Sequence, residues 1–172
     1  MPTLTTEQPT IHTSTVDAQS FRDAMSLLAA PTAIVATRDA DGQPWGFTAS
    51  AVTSVSLDPP LLLVGIARTS SCHQALVSAA EFTVNVLGEQ HQDIARRFAT
   101  HGLDRFAGSG LTSWPGTALP CLPDARVLLR CTVAQVTPAG DHDLLLGAVT
   151  GIRIGHPGRS LVWYQRTFHT AG

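Results

Sequence analysis

The chain has 172 residues, 44% apolar and 14% charged, with a net charge of −2. That length fits one domain with a real core, and the charge balance excludes the clustered basic face that nucleic-acid binding requires. Apolar runs such as Leu61 to Ala67 are far too short to cross a bilayer, and the low charged fraction predicts that a second subunit or a ligand covers part of the surface.

Met1 to Val16 is rich in Thr, Pro and Gln and has neither the basic start nor the apolar segment of a secretory signal. It reads as a disordered tail over 1–16, ahead of a single domain over 17–172, and a cytoplasmic location is expected. Ser20 is followed three residues later by Asp23, a capping-box variant, and Phe21, Met25 and Leu28 share one helical face. A helix is therefore predicted from about Asp17 to Ala29, stopped by Pro31. Thr32 to Thr37 is β-branched and apolar, a strand, and Asp39-Ala40-Asp41-Gly42 is a hairpin turn.

The next stretch, Gly46 to Pro60, is the most informative. Thr48, Ser50, Thr53, Ser54 and Ser56 alternate with small apolar residues until Asp58-Pro59-Pro60 ends the run. It reads either as an edge strand with a solvated face or as a wall that lets a ligand approach the backbone and meet hydroxyls and amides. Leu61 to Ala67 is a buried strand or barrel wall. Arg68-Thr69-Ser70-Ser71 is a turn into a short helix over about 72–80. It is either a plain capping turn or, with its guanidinium, an anion site.

Glu81 to Leu87 alternates as a strand, and Ile94, Ala95 and Phe98 mark a helix over about 89–99. Gly102 to Pro123 is a connection long enough to be functional or packed on a partner. Ala125 to Val136 and Asp143 to Ile154 are two long strands on either side of Thr137 to His142. Ser160 to Tyr164 is the last strand, and Arg166 to His169 a short tail. About six or seven antiparallel strands and three short helices, without strand–helix alternation, predict a mainly β fold, a small closed or split barrel.

Cys72, Cys121 and Cys131 are odd in number and lack ligand spacing, so free thiols are expected. The histidines other than His142 form no ligand-spaced pair, and no metal site is expected. No phosphate-binding Gly-Lys-Ser/Thr loop and no dinucleotide-type Gly-rich turn occurs. His142, in Gly140-Asp141-His142, reads as a turn residue or as a group that donates to a ligand carbonyl or transfers a proton near neutral pH.

Seven segments in this order resemble the short-chain NAD(P)H:flavin reductases, the reductase components of two-component flavin-dependent monooxygenases. They are Phe21-Arg22-Asp23-Ala24-Met25, Pro31-Thr32-Ala33-Ile34-Val35, Gly46-Phe47-Thr48-Ala49-Ser50-Ala51, Ser54-Val55-Ser56-Leu57-Asp58-Pro59-Pro60-Leu61, Phe82-Thr83-Val84-Asn85-Val86-Leu87, Asp104-Arg105-Phe106-Ala107 and Gly140-Asp141-His142. The resemblance is strongest to reductases of aromatic polyketide tailoring. It implies an FMN-binding split barrel acting as a homodimer, with FMN or FAD at the subunit interface and NADH or NADPH as co-substrate. It also implies a partner monooxygenase fed by diffusion of reduced flavin.

Residue by residue, the resemblance gives Thr48, Ala49, Ser50 and Ala51 to the ring and ribityl chain, with Ser54, Val55 and Ser56 continuing that wall. Pro31, Thr32 and Ala33 would close one side, Ala67, Arg68, Ser70 and Ser71 would hold the phosphate, and Phe106 would approach from the long loop. His142, the implied catalytic-side residue, would face the nicotinamide with Tyr164 and Phe168 nearby. Many relatives have Asn-Ser where this chain has Ser71-Cys72, and a thiol is the poorer donor. A flavin-retaining oxidase or oxygenase of the same fold, or a non-catalytic flavin-binding module, is the alternative.

Overall fold

The computed structural model describes residues 15–172, so the expected tail falls almost wholly outside it. The chain forms α1 (Ala18–Ser26), β1 (Ala30–Pro31), β2 (Ala33–Arg38), β3 (Pro44–Ala49), β4 (Val52–Leu57), β5 (Pro60–Ala67), α2 (His73–Val77) and β6 (Glu81–Val86). A 3-10 turn (Glu89–His91) leads into α3 (Gln92–Ala99), followed by β7 (Thr112–Ser113), β8 (Pro120–Cys121), β9 (Val127–Ala139), β10 (His142–Ile154), β11 (Ser160–Tyr164) and β12 (Thr167–Ala171). The expected mainly β, antiparallel architecture is the observed one.

Seven strands form one antiparallel sheet in the order β3-β2-β6-β9-β10-β5-β4. Its two end strands, β3 and β4, are joined by only Ser50 and Ala51. Strands at opposite ends of a sheet cannot be joined by two residues unless the sheet curls back on itself. Gly65 N–H donates to Ala51 O at 2.9 Å across the seam, and the result is a barrel split between β3 and β4. A smaller sheet, β1-β11-β12, lies outside it.

β2 is buried on both faces. Ala33 and Val35 point into the barrel with Val64, Ile66, Phe82, Val84 and Leu145. Ile34 and Ala36 point outward to a second core with Leu87, Ala95, Phe98, Leu122, Leu128 and Leu161. The barrel is narrow, and Gly147 on β10 is required there: a Cβ would lie 2.6 Å from Phe82 Cζ and 3.0 Å from Cys131 Cβ. The long connection over 102–123 is tied to this chain's own sheet. Buried Asn85 donates to Ile34 O (2.9 Å) and accepts from Leu122 N–H (2.8 Å), and Thr83 Oγ1 donates to Pro120 O (2.5 Å).

Several expectations need correction. α1 is capped by Asp17, whose carboxylate accepts from the amides of Gln19 and Ser20 at 2.9 Å, and it ends at Ser26, before the predicted Ala29. Asp17 is the carboxylate in reach of the free amides of the first turn, and Asp23 is not. The Gly46–Leu57 strand is two strands, because a bend at Ser50 takes the chain from one edge of the sheet to the other. Most of the expected loop over 137–142 is ladder, with only Gly140 and Asp141 turning the chain. Of the expected tail, Arg166 to His169, Arg166 lies in the turn and Thr167 to His169 belong to β12 and pair with β11.

Gly147→Ala is expected to lower the unfolding free energy by about 1–3 kcal/mol, read by urea denaturation. An unchanged midpoint would mean that Phe82 yields without cost.

Candidate active site

The end of β3 makes one wall of a cleft. Trp45, Phe47 and Ala49 point into the barrel, so Gly46 and Thr48 take the other face, toward α3. Gly46 is needed for close approach, since a Cβ there would sit 3.0–3.1 Å from the rings of Phe98 and Phe106. Thr48 Oγ1 donates to Ala95 O at 2.6 Å, which locks β3 to α3. Beyond this wall lies a cleft of about 550 Å³ lined by Thr32, Thr48, Ser50, Arg96, Ala99, Thr100, Trp163, Arg166, Thr167 and Phe168. That volume suits a ligand of nucleotide size.

Thr32 marks the inner end. It is 1% exposed, its amide donates to Leu161 O, and its carbonyl accepts from Leu87 N–H. Its hydroxyl has no partner among the described residues. A buried hydroxyl without a partner is costly and points to a group that completes it. On the opposite side the β11–β12 hairpin carries Trp163 and Phe168, edge to face at 4.9 Å, with the Arg96 guanidinium 5.8 Å from the Phe168 centroid.

The hairpin turn is Gln165 and Arg166, with φ of +48° and +61°. Neither is glycine, and each left-handed residue costs on the order of 1 kcal/mol or more. Helix α1 holds the turn in place: Gln165 N–H donates to Ser26 O at 2.8 Å, and Arg166 pairs with Asp23.

A second group of polar residues lies at the end of β5. Ala67 is the register partner of His142, and Arg68 N–H donates to Asp141 O. Asp143 joins three elements. Its Oδ1 accepts from Arg68 Nη2 at 3.1 Å and its Oδ2 lies 2.6 Å from His73 Nε2, the first residue of α2. The hydrogen bond from His73, then that from Arg68, holds the Asp143 carboxyl below its ordinary range. His142 Nδ1 donates to the Asp141 carboxylate at 2.7 Å, which leaves Nε2 free on a half-exposed ring. That bond holds Asp141 low as well.

The structure therefore sorts the sequence candidates. Thr32, Thr48, Ser50 and Phe168 meet at the cleft. Pro31 flanks it, paired with Val162, and Tyr164 begins the same hairpin, its ring 5.8 Å from His169. Ala33 and Ala49 are 0% and 3% exposed, so they offer a ligand only backbone. Phe106 packs edge to face on Phe98 at 5.1 Å and backs β3 rather than lining the cleft. Ser54, Val55 and Ser56 lie along the β4 edge, and Ala51 faces Gly65 across the seam. Ala67, Arg68, Ser70, Ser71 and His142 belong to the second group, none of which lines the cleft. Cys72 turns inward: its thiol lies 3.0 Å from Gly46 O and accepts from Arg105 Nη1 at 2.9 Å. The Ser71-Cys72 departure therefore takes no donor from the Arg68 turn.

Sequence reading missed Arg96, Thr100, Trp163, Arg166 and Thr167 in the cleft, and His73 and Asp143 in the Arg68 group. Arg96, Ala99 and Thr100 were legible as a second stripe on α3. Two β-type runs separated by two residues, Gln165 and Arg166, were legible as a hairpin. All three cysteines are free, as expected, and buried. Among the described residues no metal-type cluster occurs, and no helix is long and apolar enough to cross a membrane.

Comparison with known proteins decides the family. The flavin reductase like domain matches residues 25–172. This chain belongs to the flavin reductase-like family. This flavin reductase-like chain is 57% identical over 156 residues to the NADH:riboflavin 5'-phosphate oxidoreductase of Streptomyces pristinaespiralis, covering 90% of this chain and 89% of that one. It is 41% identical to the actinorhodin polyketide dimerase of Streptomyces coelicolor, covering 88% and 85%. Its fold is similar to that of the Streptomyces globisporus C-1027 NADH:FAD oxidoreductase SgcE6, solved with NAD and FAD fragments. The TM-score is 0.84 at 26% identity, covering 92% and 97%.

Because Asp143 is held low, its carboxylate adds stability above about pH 4 that is lost as the pH falls through its lowered value. The thermal midpoint of Asp143→Asn should lie furthest below wild type near neutral pH, and the gap should close toward acid. A gap that stays constant from neutral to acid pH would contradict the ion-paired role.

Proposed function

We propose that the protein reduces free FMN with NADH and releases the reduced flavin to a separate flavin-dependent monooxygenase, in aromatic polyketide tailoring. The observation that carries this reading is the unpartnered Thr32 hydroxyl at the inner end of a nucleotide-sized cleft, in a chain of this family.

The residues fit a flavin. The cleft lining offers hydroxyls, guanidiniums and two aromatic faces, with no carboxylate, which suits a flat ring edged by carbonyl and N–H groups. Pro31, Thr32 and the Ala33 backbone would close one side. Thr48, Ala49, Ser50 and Ala51 would line the ring and ribityl chain, with Ser54, Val55 and Ser56 extending that wall. Ala67, Arg68, Ser70 and Ser71 would take the phosphate, Arg68 being oriented by Asp143. His142, Tyr164 and Phe168 would face the nicotinamide. When bound, the flavin supplies the acceptor for the hydride of the dihydronicotinamide. The protein's own work is to bind, to align and to exclude water, so no strong acid or base is demanded of it. Through its free Nε2, His142 orients the carboxamide.

Neither the cleft nor the Arg68 group is complete by itself. A homodimer is inferred from the apolar surface left bare: Val55 and Leu57 on β4 are 53% and 94% exposed, and Phe21 and Met25 on α1 and Leu27 and Leu28 just after it are open. Such faces mark association sites, and one along β4 would bring the Arg68 group of one subunit to the cleft of its partner.

Two outcomes are expected. Purified protein should oxidise NADH when FMN is added; no consumption with FMN, FAD or riboflavin would defeat the reductase reading. Tight flavin retention without turnover of added flavin would instead favour the oxidase alternative. Light scattering after size exclusion should give about twice the 18.2 kDa chain mass, and Leu57→Asp should shift it toward monomer with loss of FMN turnover.

A further inference from the structure

We propose that Arg96 and Arg166 form the binding site for the pyrophosphate of the nicotinamide dinucleotide, at the mouth of the cleft. The inference rests on the reading that NADH is oxidised there, and it assigns the part of NADH that takes no part in hydride transfer.

Among the described residues the two guanidiniums are the only formal charges in the cleft lining. Their present partners are weak. Arg96 lies 3.6 Å from a fully exposed Asp93, and Arg166 pairs with Asp23, both of them more than half exposed. Exposed pairs of this kind add little and are readily exchanged, so a phosphate of higher charge density can take over either arginine. A guanidinium fork matches phosphate oxygens bidentately. Two forks at one opening match two adjacent phosphates, each carrying a charge. FMN has a single phosphate, which the reading above gives to the separate Arg68 group.

The backbone supports the assignment. Gln165 and Arg166 both hold left-handed conformations without being glycine. Strain of this kind persists where the surroundings enforce it, and it gathers at ligand clamps. Here it sets Arg166 on the cleft, one residue before Thr167 and two before Phe168. Arg96 is held over the Phe168 ring, so both arginines are fixed by the same hairpin. Phe168 and Trp163 offer faces for the heterocycles on either side of the pyrophosphate.

The test uses ADP-ribose, which carries the pyrophosphate without nicotinamide, titrated calorimetrically into the flavin-free full chain. Arg96→Gln and Arg166→Asn should each weaken its binding by about tenfold; asparagine tolerates the left-handed backbone at 166. In steady state, kcat/KM for NADH should fall relative to that for dihydronicotinamide riboside, which has no phosphate, by a similar factor. Absence of ADP-ribose binding by the wild type, or equal binding by the folded variants, would overturn the proposal. So would variants that raise KM for FMN but not for riboflavin, which would assign the arginines to the flavin phosphate. Arg96 is exposed on a helix, so Arg96→Gln carries the test if Arg166→Asn fails to fold. Wild-type protein that oxidises no NADH with FMN would defeat the reductase reading itself, a separate result.

Discussion

Everything in this molecule depends on the two-residue link between β3 and β4. Ser50 and Ala51 join strands at opposite ends of a seven-stranded sheet, and this connection is what forces the sheet into a barrel. It also fixes the seam, where Gly65 N–H meets Ala51 O and a Cβ on Gly65 would lie only 3.1 Å from Ala51 Cβ. The hydroxyls of Thr48 and Ser50 reach the cleft because the chain leaves the barrel wall at that point. Small residues are therefore demanded twice in this stretch, by strand closure and by access for a ligand.

That double demand explains how much was legible. The alternation of Thr and Ser with small apolar residues was visible. Its division into two strands was not, because period-two alternation passes through the bend at Ser50 without interruption. Propensity cannot report that neighbours in sequence lie at opposite edges of a sheet. β2 and β5 illustrate the same limit. Both read as apolar strands, yet only the fold reveals that β2 separates two cores while β5 carries the turn that Asp143 holds.

The site was legible where it is made of local sequence and hidden where it is made of long-range contacts. In sequence Asp143 is only the first residue of a strand after Gly140-Asp141-His142. Its importance comes from Arg68 and His73, about 70 positions away in the chain. Arg166 was visible only as part of a tail, since its role needs the hairpin, helix α1 and the cleft together. Ala33, Ala49 and Phe106 show the reverse case. They belong to recognisable motifs but are spent on packing, so a motif position need not be a ligand contact.

The three buried thiols have a consequence for the redox life of the protein. Reduced flavin reacts readily with dissolved oxygen and gives hydrogen peroxide, so an enzyme that releases it works in an oxidising haze of its own making. Cysteine is attacked as the exposed thiolate. Cys72, Cys121 and Cys131 are 1%, 2% and 0% exposed, and burial pushes the Cys131 thiol up to about 12. Packing keeps the Cys131 sulfur protonated and all three thiols out of reach, a durability built into the two cores on either side of β2.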